Sequence, residues 1–571
     1  MSPKRRRADL SEKSGSTDSR PTLGFLLANI HIGIGRSLWP AIVQSVARHD
    51  VNLICFPGGG LRAAGGFEAQ RNAIYDLANP GSADGLISWS STLGATLEPS
   101  VVADFHNRFR PLPLVSLAQL LADVPTVLMD SYNGMRSIIT HLIEVHGYRR
   151  LAFIRGPERH FYAQERFRAY TETLKAYGIP DNESLVTPPL PWEAGAEAVR
   201  FLLEENQLRP RIDFQAVLAV SDLLALEALQ ALQARGIQVP SEVALSGIND
   251  FTESRLSTPP LSTVSLPFGE QGARAVEMLL ALLRGDTVPE QVLLPSRLVI
   301  RQSCGCPSAA VVQAAARSAA VEGLDFPMAM AAFRERALAD MAAALPDSEE
   351  KMQAWAKTLL DAFQAELQAA PAGCFLPALE KTLGEAVAAD TDLSTWQGLI
   401  SALRRRALPY LAPPARAFDE DLFGQARVVI SEATQRLQIF QQWQAERQTA
   451  LLQEIGQALI TTFDIDKLAD VLAESLPRLG IASAYLALYE QPDFSLENSR
   501  LILAYSEKGR VPLEIGGRRF SSSQLLPVGM LPIERRFSMV VEPLFFREAQ
   551  IGYAVFEIGP YDGSVYETLR G

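Results

Sequence analysis

Five short stretches of this 571-residue chain hold residue types that could do chemistry. Cys304-Gly305-Cys306 offers two thiols, and HLIEVH, from His141 to His146, offers two imidazoles. FPGGGLRAAGG, from Phe56, is rich in glycine, and the polar pairs Ser221-Asp222 and Asn249-Asp250 each follow an apolar run. Two thiolates make half of a structural zinc site, and no histidine lies near them in sequence, so no metal is expected. The HExxH and HxxEH spacings are absent. His141 and His146, five apart, would fall on different faces of a helix, which points to structural roles. The glycine-rich stretch fits neither the G-x-G-x-x-G spacing nor a phosphate loop ending in Gly-Lys-Ser/Thr, and it reads as a loop after the second strand. No G-x-S-x-G elbow, kinase signature or cyclase signature occurs. The expectation is a chain with no catalytic residues and no cofactor.

The polar pairs belong to a pattern. Apolar runs at TLGFLLA (from 22), VNLICF (51), GLISW (85), PTVLM (125), RLAFIR (150), AVLAV (216), VALSG (243) and RLVI (297) alternate with helical segments such as Leu38–His49, Gly134–His146 and Asp222–Arg235. This rhythm predicts an α/β fold of parallel, Rossmann-like sheets covered on both faces, and the length predicts two lobes. Ligands of open parallel sheets bind beyond the carboxyl ends of the strands, where both polar pairs sit. A Ser or Asp there can also cap the next helix, so capping and ligand contact stay open for Ser221 and Asp222. His31, in the loop after the first strand, is placed to face such a crevice, the core or the surface.

Composition sets the limits. The net charge is −12, with 47% hydrophobic and 21% charged residues, which suits a globular protein of several domains and gives no overall attraction to phosphate backbones. Residues 1–20 carry six basic and three acidic side chains and read as a disordered basic tail, too short for a helix-turn-helix. No secretory segment follows the basic cluster and no run of eighteen apolar residues occurs. A cytoplasmic protein with reduced cysteines and no membrane contact is expected.

Residues 307–448 are rich in Ala, Gln, Glu and Leu, as in EKMQAWAKTLLDAFQAELQAA, and predict an all-α connector. Ile430, Ala433, Leu437 and Phe440 keep four-three spacing, which Gln444 and Arg447 break. A packed helix or a signalling helix, the latter across a homodimer, would both satisfy it. From 449 two helical patterns precede the strands ASAYLALYE, RLILAYS, SMVVEPLFF and IGYAVFEIG. That order resembles a GAF-type sensory domain, and YETLRG would begin its closing helix, so the polypeptide is expected to continue.

Residues 21–306 resemble the effector-binding domain of LacI/GalR transcription regulators, itself similar to periplasmic sugar-binding proteins. The segments that carry the resemblance are LGFLLANI, MDSYNGMRSIITHLIEVHGYRRLAFIRGP, ERFRAYTETLKAYGIP, AVLAVSDLLALEALQALQARGIQVPSEVALSGINDF and LSTPPLSTVSLPFGEQGARAVEMLLALL, in family order. The resemblance implies a two-lobed, type I periplasmic-binding-protein-like domain that closes on a sugar-like or nucleobase-like effector. It implies that Trp39 stacks on a sugar face and that Arg166 hydrogen-bonds ligand hydroxyls, unless it forms an interlobe salt bridge. It further implies contacts from Asp222, Ser221 in place of the usual Asn, Asn249 in place of an Asp, and an aromatic at Trp192. DNA binding is implied by family only, because no residues here supply the helix-turn-helix. The expected function is a small-molecule-responsive transcriptional regulator or signal-transduction sensor. The rivals are a sensor module of a histidine kinase or diguanylate cyclase, and a solute-binding protein.

Overall fold

The computed structural model describes residues 20–61, 70–94, 97–315, 326–342, 349–367, 373–389, 391–410, 413–461, 465–490, 497–546 and 549–570. The expected tail, apart from Arg20, and the end of FPGGGLRAAGG lie outside them. The chain divides into two compact units, one of residues 1–305 with 451–571 and one of residues 306–450.

In the first unit, strands β1 (Thr22–Leu27), β2 (Asn52–Pro57), β3 (Gly85–Ser88), β4 (Leu114–Leu117) and β5 (Thr126–Met129) form a parallel sheet in the order β5-β4-β3-β1-β2. Their continuous apolar runs follow from burial on both faces; in β2 and β3 every residue is buried. Helix α1 (Gly35–Arg48) lies between β1 and β2. Helix α2 (Ser131–Glu144) then leads into a second lobe, where β6 (Leu151–Ile154), β7 (Ala216–Ala219) and β8 (Ala244–Ser246) pair in parallel. Helix α3 (Phe161–Ala176) follows β6 and α4 (Asp222–Ala234) follows β7.

The chain then returns. After β9 (Thr263–Ser265), helix α5 (Phe268–Leu283) packs on α1, and β10 (Gln291–Leu294) adds to β5 at the edge of the first sheet. Strand β11 (Arg297–Val299) goes back to pair with β9. The connections near Asp130, Leu266 and Pro295 thus run between the lobes, an arrangement suited to a hinge. Strands β4, β9 and β10 carry no signal in the sequence reading. They are three or four residues long.

The C-terminal segment extends this sheet. Strands β12 (Ala484–Tyr489), β13 (Asn498–Ser506), β14 (Gly509–Arg510), β15 (Arg518–Ser521), β16 (Ser538–Phe546) and β17 (Ala549–Glu557) pair antiparallel among themselves in the order β16-β17-β12-β13. Strand β16 then pairs in parallel with β2, matching Leu53 to Ser538 and Cys55 to Val540. A bare edge at β2 would present unpaired N–H and C=O groups, and β16 satisfies them. One apolar core spans the seam, with Phe56, Tyr75 and Leu86 alongside Tyr485, Met539, Val541 and Tyr553.

The second unit is helical: α6 (Phe326–Ala342), α7 (Glu349–Leu367), α8 (Phe375–Ala388), α9 (Trp396–Ala407) and most of the 49-residue α10 (Pro413–Thr461). Its core gathers Trp355, Phe363, Phe375, Trp396, Phe423 and Ile430. Of the four-three set, Ile430 is buried there and Ala433 and Leu437 pack against it, whereas Phe440 is half exposed. Helix α11 (Ile465–Ser475) and a last helix, α12 (Gly563–Arg570), complete the described elements of the C-terminal segment.

Candidate functional site

Arg166 is the centre of the group on the second lobe. It projects from α3, is 3% exposed, and donates through Nε to Ser131 Oγ (2.5 Å), through Nη1 to the Val220 carbonyl (2.6 Å) and through Nη2 to Asn249 Oδ1 (3.3 Å). Its hydrogen-bond partners are all neutral. Burial pulls the guanidinium down to about 10, offset in part by Tyr162 and Asp222. Ser131 opens α2, directly after the first connection between the lobes, so a group on α3 reads the hinge region. Among the described residues no carboxylate lies within salt-bridge distance of Arg166.

Ser221 and Asp222 divide the two roles left open by their sequence. Ser221 Oγ accepts from Leu224 N (3.4 Å) and caps α4. Asp222, wholly buried, accepts from Thr263 Oγ1 (2.5 Å), Ser254 Oγ (2.7 Å) and Phe251 N (3.1 Å). These bonds tie the loop after β8 to β9. Desolvation raises its carboxyl to about 6 against those three donors. Asn249 and Asp250 sit in that loop at φ of 134° and 59°. Asp250 is held by Arg301 (2.5 Å) and Arg255 (3.2 Å), which leaves Asn249 to face Arg166. Such backbone conformations cost of order 1–3 kcal/mol each and persist where neighbours fix them.

Trp192 stands edge-on to His160, with ring centroids 4.9 Å apart at 89°. His160 was not legible as a site residue. It caps α3 through Nδ1, accepting from Ala163 N (3.4 Å), and desolvation plus the Arg166 charge lower it to about 3, so the ring is neutral. Tyr162, whose ring centroid lies 5.6 Å from the Arg166 guanidinium carbon, accepts from Met129 N (3.0 Å). A guanidinium whose hydrogen-bond partners are neutral has the donors and charge that vicinal hydroxyls or a carboxylate would meet.

His31 and Trp39 lie elsewhere, against the C-terminal segment. Trp39 is fully buried, edge-on to Tyr566 of α12 at 5.9 Å. His31 Nδ1 lies 3.7 Å from Glu567 of the same helix. Because β16 continues the sheet at β2, α12 falls across the loop after β1. Gly563 approaches so closely that a Cβ there would lie 2.5 Å from the Ile30 carbonyl oxygen. Beneath α12, Arg71 donates to the Pro57 carbonyl (3.1 Å) and pairs with Glu567 (3.3 Å) and Glu542 (4.0 Å), while Arg570 pairs with Glu567. Glu542 is fully buried, and desolvation raises it to about 7 against the pull of Arg71 and Arg570.

Two further groups come together. Ser88 Oγ lies 2.6 Å from His106 Nε2, and His106 Nδ1 faces the Val102 carbonyl at 2.6 Å, so Nδ1 carries the proton and Nε2 accepts from the serine. Both residues are buried, and desolvation lowers His106 to about 4, leaving a neutral core pair closed to substrate. The second group is His141, His146, Cys304 and Cys306, whose donor atoms all lie within 4.8 Å of one another. The expectation of separate helix faces fails because α2 ends at Glu144, and His146 folds back to 5.1 Å from the His141 ring.

Residues 139–304 match the family model of a periplasmic binding protein-like domain. Among curated proteins, the HTH-type transcriptional regulator CelR of Thermobifida fusca is 35% identical over 182 residues, 32% of this chain and 52% of that protein. The lactose operon repressor of Klebsiella pneumoniae is 33% identical over 182 residues, 32% of this chain and 49% of that protein. A solved transcriptional regulator CelR–cellobiose complex is 26% identical, covers 50% of this chain and 85% of that one, and has a TM-score of 0.42. The chain spans about half the length of these two curated relatives. Among the described residues no helix is long and apolar enough to cross a membrane. The matched span includes Arg166, Trp192, Ser221, Asp222 and Asn249, so the LacI-type, periplasmic-binding-protein-like resemblance of this region stands on sequence likeness as well as on its motifs.

Proposed function

We propose that this chain is a small-molecule-responsive regulator that closes its two lobes on a sugar-like or nucleobase-like effector. The observation that carries this reading is Arg166, a buried cation satisfied by neutral groups alone beside the hinge. An effector hydroxyl or carboxylate would strengthen that arrangement in the closed state, and only a ligand that prefers one state shifts the balance. Trp192 and Asn249 complete the proposed contact set, and His160 joins it. Ser221 and Asp222 hold the loops in place.

The output is transcriptional, as the names of the curated relatives suggest for those proteins, with DNA bound by a homodimer or through a partner in the cytoplasm. Residues 449–571 act as a GAF-like module. Their antiparallel sheet and flanking helices support that assignment, and their seam on β2 gives them direct sight of the first lobe. A sensor feeding a kinase or cyclase is the second reading, favoured by the helical segment that precedes this module.

A thermal-shift screen of mono- and disaccharides and nucleosides tests the proposal, because binding to the native state raises Tm. A compound that raises Tm in the native chain and fails to do so in Arg166→Ala is the expected result. Equal shifts in both proteins would remove Arg166 from the site, and no shift from the whole panel would remove the effector class.

A further inference from the structure

We propose that His141, His146, Cys304 and Cys306 form a structural zinc site that clamps the end of α2 to the chain just beyond β11. Two features carry the assignment, the donor set and its geometry. Two thiols and two imidazoles are the mixed sulfur–nitrogen set that favours zinc over magnesium or calcium, which take oxygen donors. With all four positions filled by protein there is no open site for water, so the metal would hold structure and do no chemistry.

The distances fit. Cys304 Sγ lies 3.6 Å from His141 Nε2. Bonds of about 2.3 Å to sulfur and about 2.05 Å to nitrogen at a tetrahedral angle put the two donors about 3.6 Å apart, so this pair already spans one edge of the tetrahedron. The full spread of 4.8 Å closes with small rotamer shifts of the outer ligands. His141 and His146 keep the H-x₃₋₅-H spacing, whereas C-x-C is one residue shorter than the usual pair of cysteines. Gly305 accounts for the difference. Its φ of +106° turns the chain so that the second sulfur returns to the side of the first, a conformation other residues resist. A Cβ at this position would also lie 3.3 Å from His146 Cε1, crowding the imidazole. Cys306 is two residues from Cys304, so the backbone of Cys304-Gly305 sets its place. Tyr148 stacks on His146 at 5.2 Å and 14°, which fixes the ring plane.

The site is independent of the effector reading, because it lies at the end of α2 and uses none of the residues around Arg166. Its test needs no ligand. The full chain, purified under reducing conditions, loaded with zinc and dialysed, should hold about one zinc per chain by elemental analysis. Cobalt loading should give the intense near-ultraviolet band of thiolate ligation. Cys306→Ser and His146→Ala alter partly exposed residues and should keep the fold by circular dichroism. Both should lose the metal on dialysis and show a weakened cobalt band. Chelation should lower the Tm of the native chain, and zinc should restore it. Retention of full metal content by both variants, or a folded native chain that takes up neither zinc nor cobalt, would overturn the proposal.

Discussion

Two buried arginines make opposite use of the same side chain. Arg166 meets a hydroxyl, a carbonyl and an amide oxygen, while Arg71 meets Glu567 and Glu542. A cation with neutral partners keeps a residual field for something from outside. A cation paired with a carboxylate, Glu567, and set beside a second acidic side chain ties the loop after β2 to the C-terminal segment. Burial alone therefore does not distinguish the two; the charge of the partners does.

The comparison can be broken in several ways. Above pH 7, where Glu542 is ionised, Arg71→Ala would leave its buried carboxylate without that partner, and removing one partner of a buried pair costs about 3–5 kcal/mol, so chemical denaturation there should show the largest loss. Arg166→Ala leaves neutral acceptors behind and should cost about 1–3 kcal/mol in the absence of effector. A loss for Arg166→Ala as large as that for Arg71→Ala would erase the distinction.

Proton linkage sharpens it further. Glu542 titrates at about 7 in the folded chain against 4.5 when unfolded, so the folded state holds the extra proton between those values. Its contribution is fully present below pH 4.5 and is lost as pH rises toward 7. Stability measured against pH should therefore fall less over this window in Glu542→Gln than in the native chain, and parallel curves for the two would count against a buried, desolvated Glu542. The smallest effect is Ser221→Ala, which removes only the α4 cap and should cost about 1 kcal/mol with the fold intact.

Much of this was legible in the residues. The apolar runs of β1, β2, β3 and β7 announced parallel strands because burial on both faces leaves no other pattern. The segment containing Arg166 could be read from ERFRAY, and a capping role for one of Ser221 and Asp222 from their place before a leucine-rich helix. Trp39 and His31 could not be placed, since what covers them is α12, more than five hundred residues away in sequence, and no local periodicity reports such a contact. HLIEVH and CGC were each visible, yet their meeting depends on where α2 stops and on the turn at Gly305. The division of labour between Ser221 and Asp222 was equally hidden, for it rests on Thr263 and Ser254 arriving from other loops.

The seam between β2 and β16 has a consequence for synthesis. Asn52 accepts from the backbone of Phe537, 485 residues later. At ribosomal speeds of about 5–20 residues per second, that interval lasts about 25–100 s, during which the newborn first lobe displays an uncovered, strongly apolar border. Until translation reaches β16, the edge of β2 lacks the strand that pairs with it.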